Sequence, residues 1–267
     1  MKKYLVALCL IIAVSALFYF FLARARKIKC IERPLYSEAI NSAIELLRVR
    51  KDDQALGIFE RVLADEPGNL DALWGKAEVL RRSRSYKESE GILNEILKKN
   101  SGHAPSLISL SYIAYKDDKL PEAEQLITRV FVSDYADEDS QALAYMMLGA
   151  INSKRAAGKA SFFNKIKYGM QIKCHFLRAE ALAPDLPEVH LGLGTFYLLA
   201  PPVFGRDIDK AIKELELAVK IAPDFATANA RLAQCYKKKG LQDKYAFHIT
   251  RAKELDPDNE LLKGLRD

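Results

Sequence analysis

A spacing of 34 residues constrains this chain more than any other feature. In "ALGIFERVLADEPGN" (55–69), Ala55 is followed four residues later by Phe59, three further by Val62, and five further by Pro67. Pro184, Pro223 and Pro257 close similar stretches, and Ser101 stands 34 residues after Pro67. Spacings of three and four place apolar residues on one face of a helix. A proline past that face stops the helix, because it has no N–H and its ring clashes with the preceding turn. Counting back from the terminators gives six units, starting at Tyr36, Leu70, Ala104, Ala142, Pro187 and Ala226. Each reads as two helices joined by a short turn. One such hairpin cannot cover its own apolar face, so neighbours must stack and share a core, which makes the chain a solenoid.

The pattern resembles the tetratricopeptide repeat. In the last unit, Leu232 and Ala233 take the apolar-plus-small pair, Tyr236 the aromatic place, Ala252 the small place and Pro257 the terminator. Leu148, Gly149, Ala179 and Pro184 do the same in the fourth unit, as do Leu193, Gly194, Tyr197, Ala211, Ala218 and Pro223 in the fifth. Ser89 replaces the usual alanine in the second unit, and Tyr245 does so in the last. The resemblance implies an all-α superhelix of about six hairpins, 36–69, 70–103, 104–141, 142–186, 187–225 and 226–259, with a tail at 260–267.

Ahead of the repeats lies a three-residue tail (1–3), then "YLVALCLIIAVSALFYFFL" (4–22) without a charge, then a basic linker (23–35). Nineteen such residues at ~1.5 Å each match the ~30 Å hydrocarbon core of a bilayer, so the sequence predicts a transmembrane helix in front of the solenoid. The expected location is a single-pass membrane protein, of a bacterial inner membrane. Lys2 and Lys3 precede the segment, and Arg24, Arg26, Lys27, Lys29 and Arg33 follow it, which inclines the repeats to the cytoplasmic side. Those seven residues, against Glu32, also account for the whole net charge of +6. Residues 36–267 are therefore neutral overall, and no nucleic-acid partner is expected.

The four cysteines form no CxxC pair and no metal spacing, and Cys174 and Cys235 read as small core residues. Neither HExxH, a phosphate loop nor GxGxxG after a strand occurs, so no enzyme, no cofactor and no metal site is predicted.

Units four and five exceed the period, by 11 residues between Asn152 and Ile172 and by five between Tyr197 and Ala211. Both insertions, near 155–165 and 200–206, fall between the paired helices and so emerge on one rim. The first offers Lys154, Arg155, Lys159, Phe162 and Phe163, and basic residues among aromatics suit a phosphate, a carboxylate or an acidic lipid surface. The alternative is a solvated lysine face with both phenylalanines tucked beneath the loop. In the second, Pro201 and Pro202 end a helix, Phe204 and Gly205 make a bend, Arg206 follows, and Asp207 caps the next helix. The stretch containing Tyr197, Pro201, Gly205, Asp207, Lys210 and Ala211 is similar to a loop of the T-component proteins associated with TRAP transporters. That resemblance implies a small hydrophobic or acidic ligand.

Repeat phase assigns the concave groove to the first helix of each unit. Trp74, Glu78, Arg81, Arg82, Ile108, Tyr112, Tyr115, Met146, Met147, Leu191 and Leu198 face it, and the last unit adds Arg231, Gln234, Lys237 and Lys238. Aromatic and methionine walls with a basic rim suit a protein or peptide partner or a lipid-like acid, the alternative being a tightly wound superhelix that closes over these residues as core. The expected function is an interaction scaffold or assembly factor anchored in the membrane by its N-terminal helix, or alternatively a binding protein for a small ligand of the T-component kind. A closed cavity at units four and five would favour the ligand, and an open groove the scaffold.

Overall fold

The computed structural model describes residues 36–159 and 161–265. Within them the chain is all-α, with twelve helices and no strand. The first three hairpins pair α1 (Ser37–Arg48) with α2 (Asp52–Asp65), α3 (Leu70–Arg82) with α4 (Tyr86–Lys99), and α5 (Ala104–Lys116) with α6 (Leu120–Phe131). The last three pair α7 (Glu138–Ala157) with α8 (Phe162–Leu182), α9 (Pro187–Leu199) with α10 (Ile208–Ile221), and α11 (Ala226–Lys239) with α12 (Gln242–Leu255). A 3-10 turn, Glu260–Leu265, follows and packs against α11. Each hairpin packs on the next. The first helices, α1, α3, α5, α7, α9 and α11, also touch one another in series and form the inner layer.

The buried positions follow the repeat spacing: Ile40, Ala43 and Leu47 on α1, Ala55, Phe59 and Val62 on α2, Ala211, Leu215 and Ala218 on α10. Each large side chain so buried contributes roughly 1.5–3 kcal/mol. Small residues bring the helices close. A Cβ added to Gly149 would lie 2.1 Å from the Phe176 ring of the paired helix. Ser89, in the alanine place, is fully buried and donates from Oγ to the Ala77 carbonyl at 2.7 Å, so its hydroxyl is satisfied. Asn69, Asp137 and Asp207 cap α3, α7 and α10 by accepting from free N–H groups of the first turn.

Three expectations change. Among the described residues no helix is long and apolar enough to cross a membrane. That finding overturns the single-pass localisation, with its bacterial inner membrane and its cytoplasmic repeats; the segment 4–22 lies outside the described residues. The insertion near 155–165 is not a long loop. It lengthens α7 to 20 residues and α8 to 21, with only a short turn around Gly158 between them, because 153–173 contains no proline to end either helix. Finally, Cys235 is buried but Cys174 is exposed on α8, because Ile172 and Phe176 turn to the core and the residue midway between them faces outward.

Candidate functional site

The inner layer curls far enough for its two rims to meet. Arg48 reaches Asp139 at 2.5 Å, and Arg50 reaches Glu188 at 2.5 Å. Arg84 pairs with Asp256 at 2.8 Å and Lys116 with Glu260 at 2.8 Å. Residues at or just past the end of a first helix in the first three hairpins thus hold carboxylates on α7, on α9 and in the stretch after α12. The groove becomes a cavity of about 1460 Å³, with walls from all six units.

Trp74, Arg81, Arg82, Ile108, Tyr112, Tyr115, Met146, Met147 and Leu191 all line this cavity, as does Arg231. Met147 also has its body in the core beside Ala104, Leu107 and Ile127. Leu198 does not face the groove. It is 2% exposed and packs with Leu215, Leu232 and Tyr236, because α11 closes over that end of α9. Lys237 and Lys238 are exposed at the end of α11, outside the cavity lining, with the Lys237 ammonium over the Tyr245 ring.

A charged network organises one wall. Glu78 accepts from Arg81 Nε (2.8 Å) and Nη2 (2.5 Å), from Arg82 Nε (2.9 Å) and from the Ser109 hydroxyl (2.9 Å). Trp74 Nε1 donates to that same hydroxyl. Arg82 also donates to Asp52 at 2.7 Å and to the Leu47 carbonyl at 2.8 Å, tying α3 to the first hairpin. Burial pushes the Glu78 carboxyl up, but the two guanidiniums outweigh it and hold it well below the usual carboxylate range. Arg81 lies 4.1 Å above the Tyr112 ring, and Arg50 lies 3.7 Å above that of Phe225. Burial, reinforced by the nearby Arg82, lowers the Arg50 guanidinium to about 10 despite Glu188, and its Nε is buried without a partner.

The two insertions meet on one rim. Phe204 packs on Gly169 of α8, where an added Cβ would stand 2.9 Å from its ring. Gly205 adopts φ +97°, a left-handed conformation that allows the bend without a Cβ penalty. Asp207 accepts from the N–H groups of Asp209 and Lys210, while its own N–H donates to the Tyr197 carbonyl. Pro201, Pro202 and Arg206 are exposed. Lys154 pairs with Asp118 and Arg155 with Glu124, so neither is free for a ligand. Lys159 is exposed, and Phe162 and Phe163 are 72% and 80% exposed at the tip of the long hairpin, so neither ring is tucked beneath it.

The family model of the tetratricopeptide repeat matches residues 51–110. The fold is a tetratricopeptide-like solenoid. The DnaJ homolog subfamily C member 7 homolog of Dictyostelium discoideum is 25% identical over 229 residues, which is 85% of this chain and 42% of that protein. This chain therefore spans less than half the length of that relative. Among solved structures, the APC/C hetero-tetramer Cut9-Hcn1 superposes with a TM-score of 0.56 at 15% identity, over 86% of this chain and 42% of the other. PilW, a type IV pilus biogenesis factor, gives 0.51 at 14% identity, over 88% and 100%. Both share the fold. The T-component resemblance of the stretch around Pro201 has no support in these comparisons, and the loop it rested on is accounted for by its packing on Gly169.

Proposed function

We propose that this protein is a non-enzymatic interaction module that encloses an extended peptide segment of a partner protein within its cavity, as a scaffold or assembly factor does. The observation that carries this reading is the cavity's extent. Its walls come from the first helices of all six units, and its volume of about 1460 Å³ exceeds the ~300–1,000 Å³ usual for small-molecule sites. It is not confined to units four and five, as a small-ligand site would be. Tyr112, Tyr115, Ile108, Met146 and Leu191 supply apolar wall, and the paired arginines supply a polar frame, the mixture that suits a peptide with alternating side chains.

The test is selection from a phage-displayed library of random decapeptides, with synthetic fluorescent versions of enriched sequences measured by anisotropy. Wild type should enrich related peptides. Tyr112→Ala should weaken them at least tenfold while keeping helicity and a cooperative melt. Failure to enrich any peptide would reject the reading, and so would binding that survives Tyr112→Ala together with Leu191→Glu.

A further inference from the structure

Six arginines line the cavity, and five of them reach a carboxylate. Arg48 pairs with Asp139, Arg50 with Glu188, Arg81 and Arg82 with Glu78, and Arg84 with Asp256. Arg231 reaches none among the described residues. Its Nη1 donates to Gln234 Oε1 at 2.8 Å, one turn along the same helix, and among the described residues no other acceptor takes up its fork. The ionisable groups that act on it, the Cys235 thiol and the Tyr115 hydroxyl, are both raised by burial and so stay neutral at physiological pH. Burial lowers the Arg231 guanidinium from its ordinary value. Lys165 also borders the cavity, but it is exposed and solvated.

A guanidinium partly drawn out of water without a counter-charge is costly, and Arg48, Arg50, Arg81 and Arg82, the less exposed of the other five, show how this fold meets that cost. Arg231 has the same fork and lacks the protein carboxylate. We propose that Arg231 receives a carboxylate from the bound partner: the side chain of an Asp or Glu within an extended peptide, flanked by apolar residues that meet Tyr115, Tyr112 and Leu191. This rests on the peptide-binding reading and specifies its ligand.

Charge and geometry select this occupant. One unpaired guanidinium offers one positive charge and a planar fork, the complement of a singly charged carboxylate. A phosphate carries about −1.5 to −2 and would leave negative charge uncompensated there. A peptide's terminal carboxylate is captured by converging backbone N–H groups, but Arg231 stands inside α11, where those groups are bonded within the helix.

The experiment is a cycle on a decapeptide enriched from the library, made with Glu or Gln at its acidic position and tested against wild type and Arg231→Gln. Exchanging Glu for Gln should weaken binding to wild type by about 10- to 100-fold, the range for a charged hydrogen bond. The same exchange should change affinity for Arg231→Gln less than threefold (roughly the scatter of non-additivity). Enriched peptides without an acidic position, or an equal Glu-to-Gln loss in both proteins, would overturn the assignment and leave the groove reading standing. A phosphoserine peptide binding more tightly than its Glu counterpart would overturn the choice of carboxylate. If no peptide is enriched, the assignment falls with the groove reading. A second measurement needs no ligand: Arg231→Gln should melt at the same temperature as wild type or higher, because it removes an uncompensated charge. A clearly lower melting temperature would show that Arg231 serves the fold, and would overturn the assignment.

Discussion

Arg50 and Arg84 occupy the same place in successive repeats, both at φ +67°, and both reach across the groove to a carboxylate of a distant unit. Asp118, one period on, is at φ +63° and pairs with Lys154. This turn position is left-handed, and in the last unit the corresponding turn has Gly240 at φ +73°. A side chain there costs about 1–2 kcal/mol relative to glycine. Both arginines stand where glycine would be conformationally cheaper, and both close the cavity.

The two arginines should therefore respond differently to replacement by glycine. The Arg84 side chain is 44% exposed, and exposed pairs contribute about 0–1 kcal/mol, so relief of the turn should offset the loss. Arg84→Gly is expected to leave urea stability within about 1 kcal/mol of wild type. The Arg50 side chain is 13% exposed, holds Glu188, and lies over Phe225. Losing a charged hydrogen bond and a cation–π contact, less the turn relief, should make Arg50→Gly less stable by about 2 kcal/mol. A neutral Arg50→Gly would show that the Glu188 contact is not part of the fold in solution.

How much of this was legible in the sequence depends on the range of the interaction. The hairpins were, because the Ala55, Phe59, Val62, Pro67 spacing is local and each unit repeats it. Most of the residues that line the cavity follow from the phase of one helix. Leu198 was misplaced because the closure of α11 over the end of α9 is not a local property. The clasp was invisible. Arg50 and Glu188 are 138 residues apart and Arg84 and Asp256 are 172 apart, and such pairs meet only at one superhelical pitch. The signal available was two arginines 34 residues apart at a turn where glycine is favoured. The insertion near 155–165 shows in the repeat spacing, but spacing alone cannot separate a loop from the longer helical hairpin found there.

Glu78 makes acid sensitivity a property of the inner wall. Its carboxyl is held below its ordinary value in the folded state, so its contribution is complete above the unfolded pKa of ~4.3 and is lost as pH falls through the folded value. Glu78→Gln should cost about 3–5 kcal/mol near neutrality, because Arg81 stays buried without its anion and Arg82 keeps only Asp52. The gap between wild type and Glu78→Gln should then narrow as pH drops below about 4. Urea midpoints measured across that range check this; a gap independent of pH would mean Glu78 is not ionised in the fold.

Helix approach at Gly149 sets up a competition with a known sign on each side. Alanine would favour the helix by about 1 kcal/mol over glycine. Its Cβ would meet the Phe176 ring at 2.1 Å, and that ring is 5% exposed, with little room to move. Overpacking of this kind costs about 1–3 kcal/mol, so Gly149→Ala should lower the melting temperature. A rise would show that α7 and α8 can separate without loss.

The aromatic residues on the inserted rim should divide by burial. Phe204 packs on Gly169 beside the core cluster of units four and five, so Phe204→Ala should destabilise by about 1–2 kcal/mol. Phe163 is 80% exposed at the hairpin tip, and Phe163→Ser should stay within about 0.5 kcal/mol of wild type. Peptide affinity gives the second axis. The Phe204 ring borders the cavity, so its removal should weaken binding, whereas Phe163 stands outside the lining and its loss should leave binding unchanged. Equal effects of the two substitutions on stability would mean that the two insertions do not meet at Gly169, and the rim would then be two independent loops.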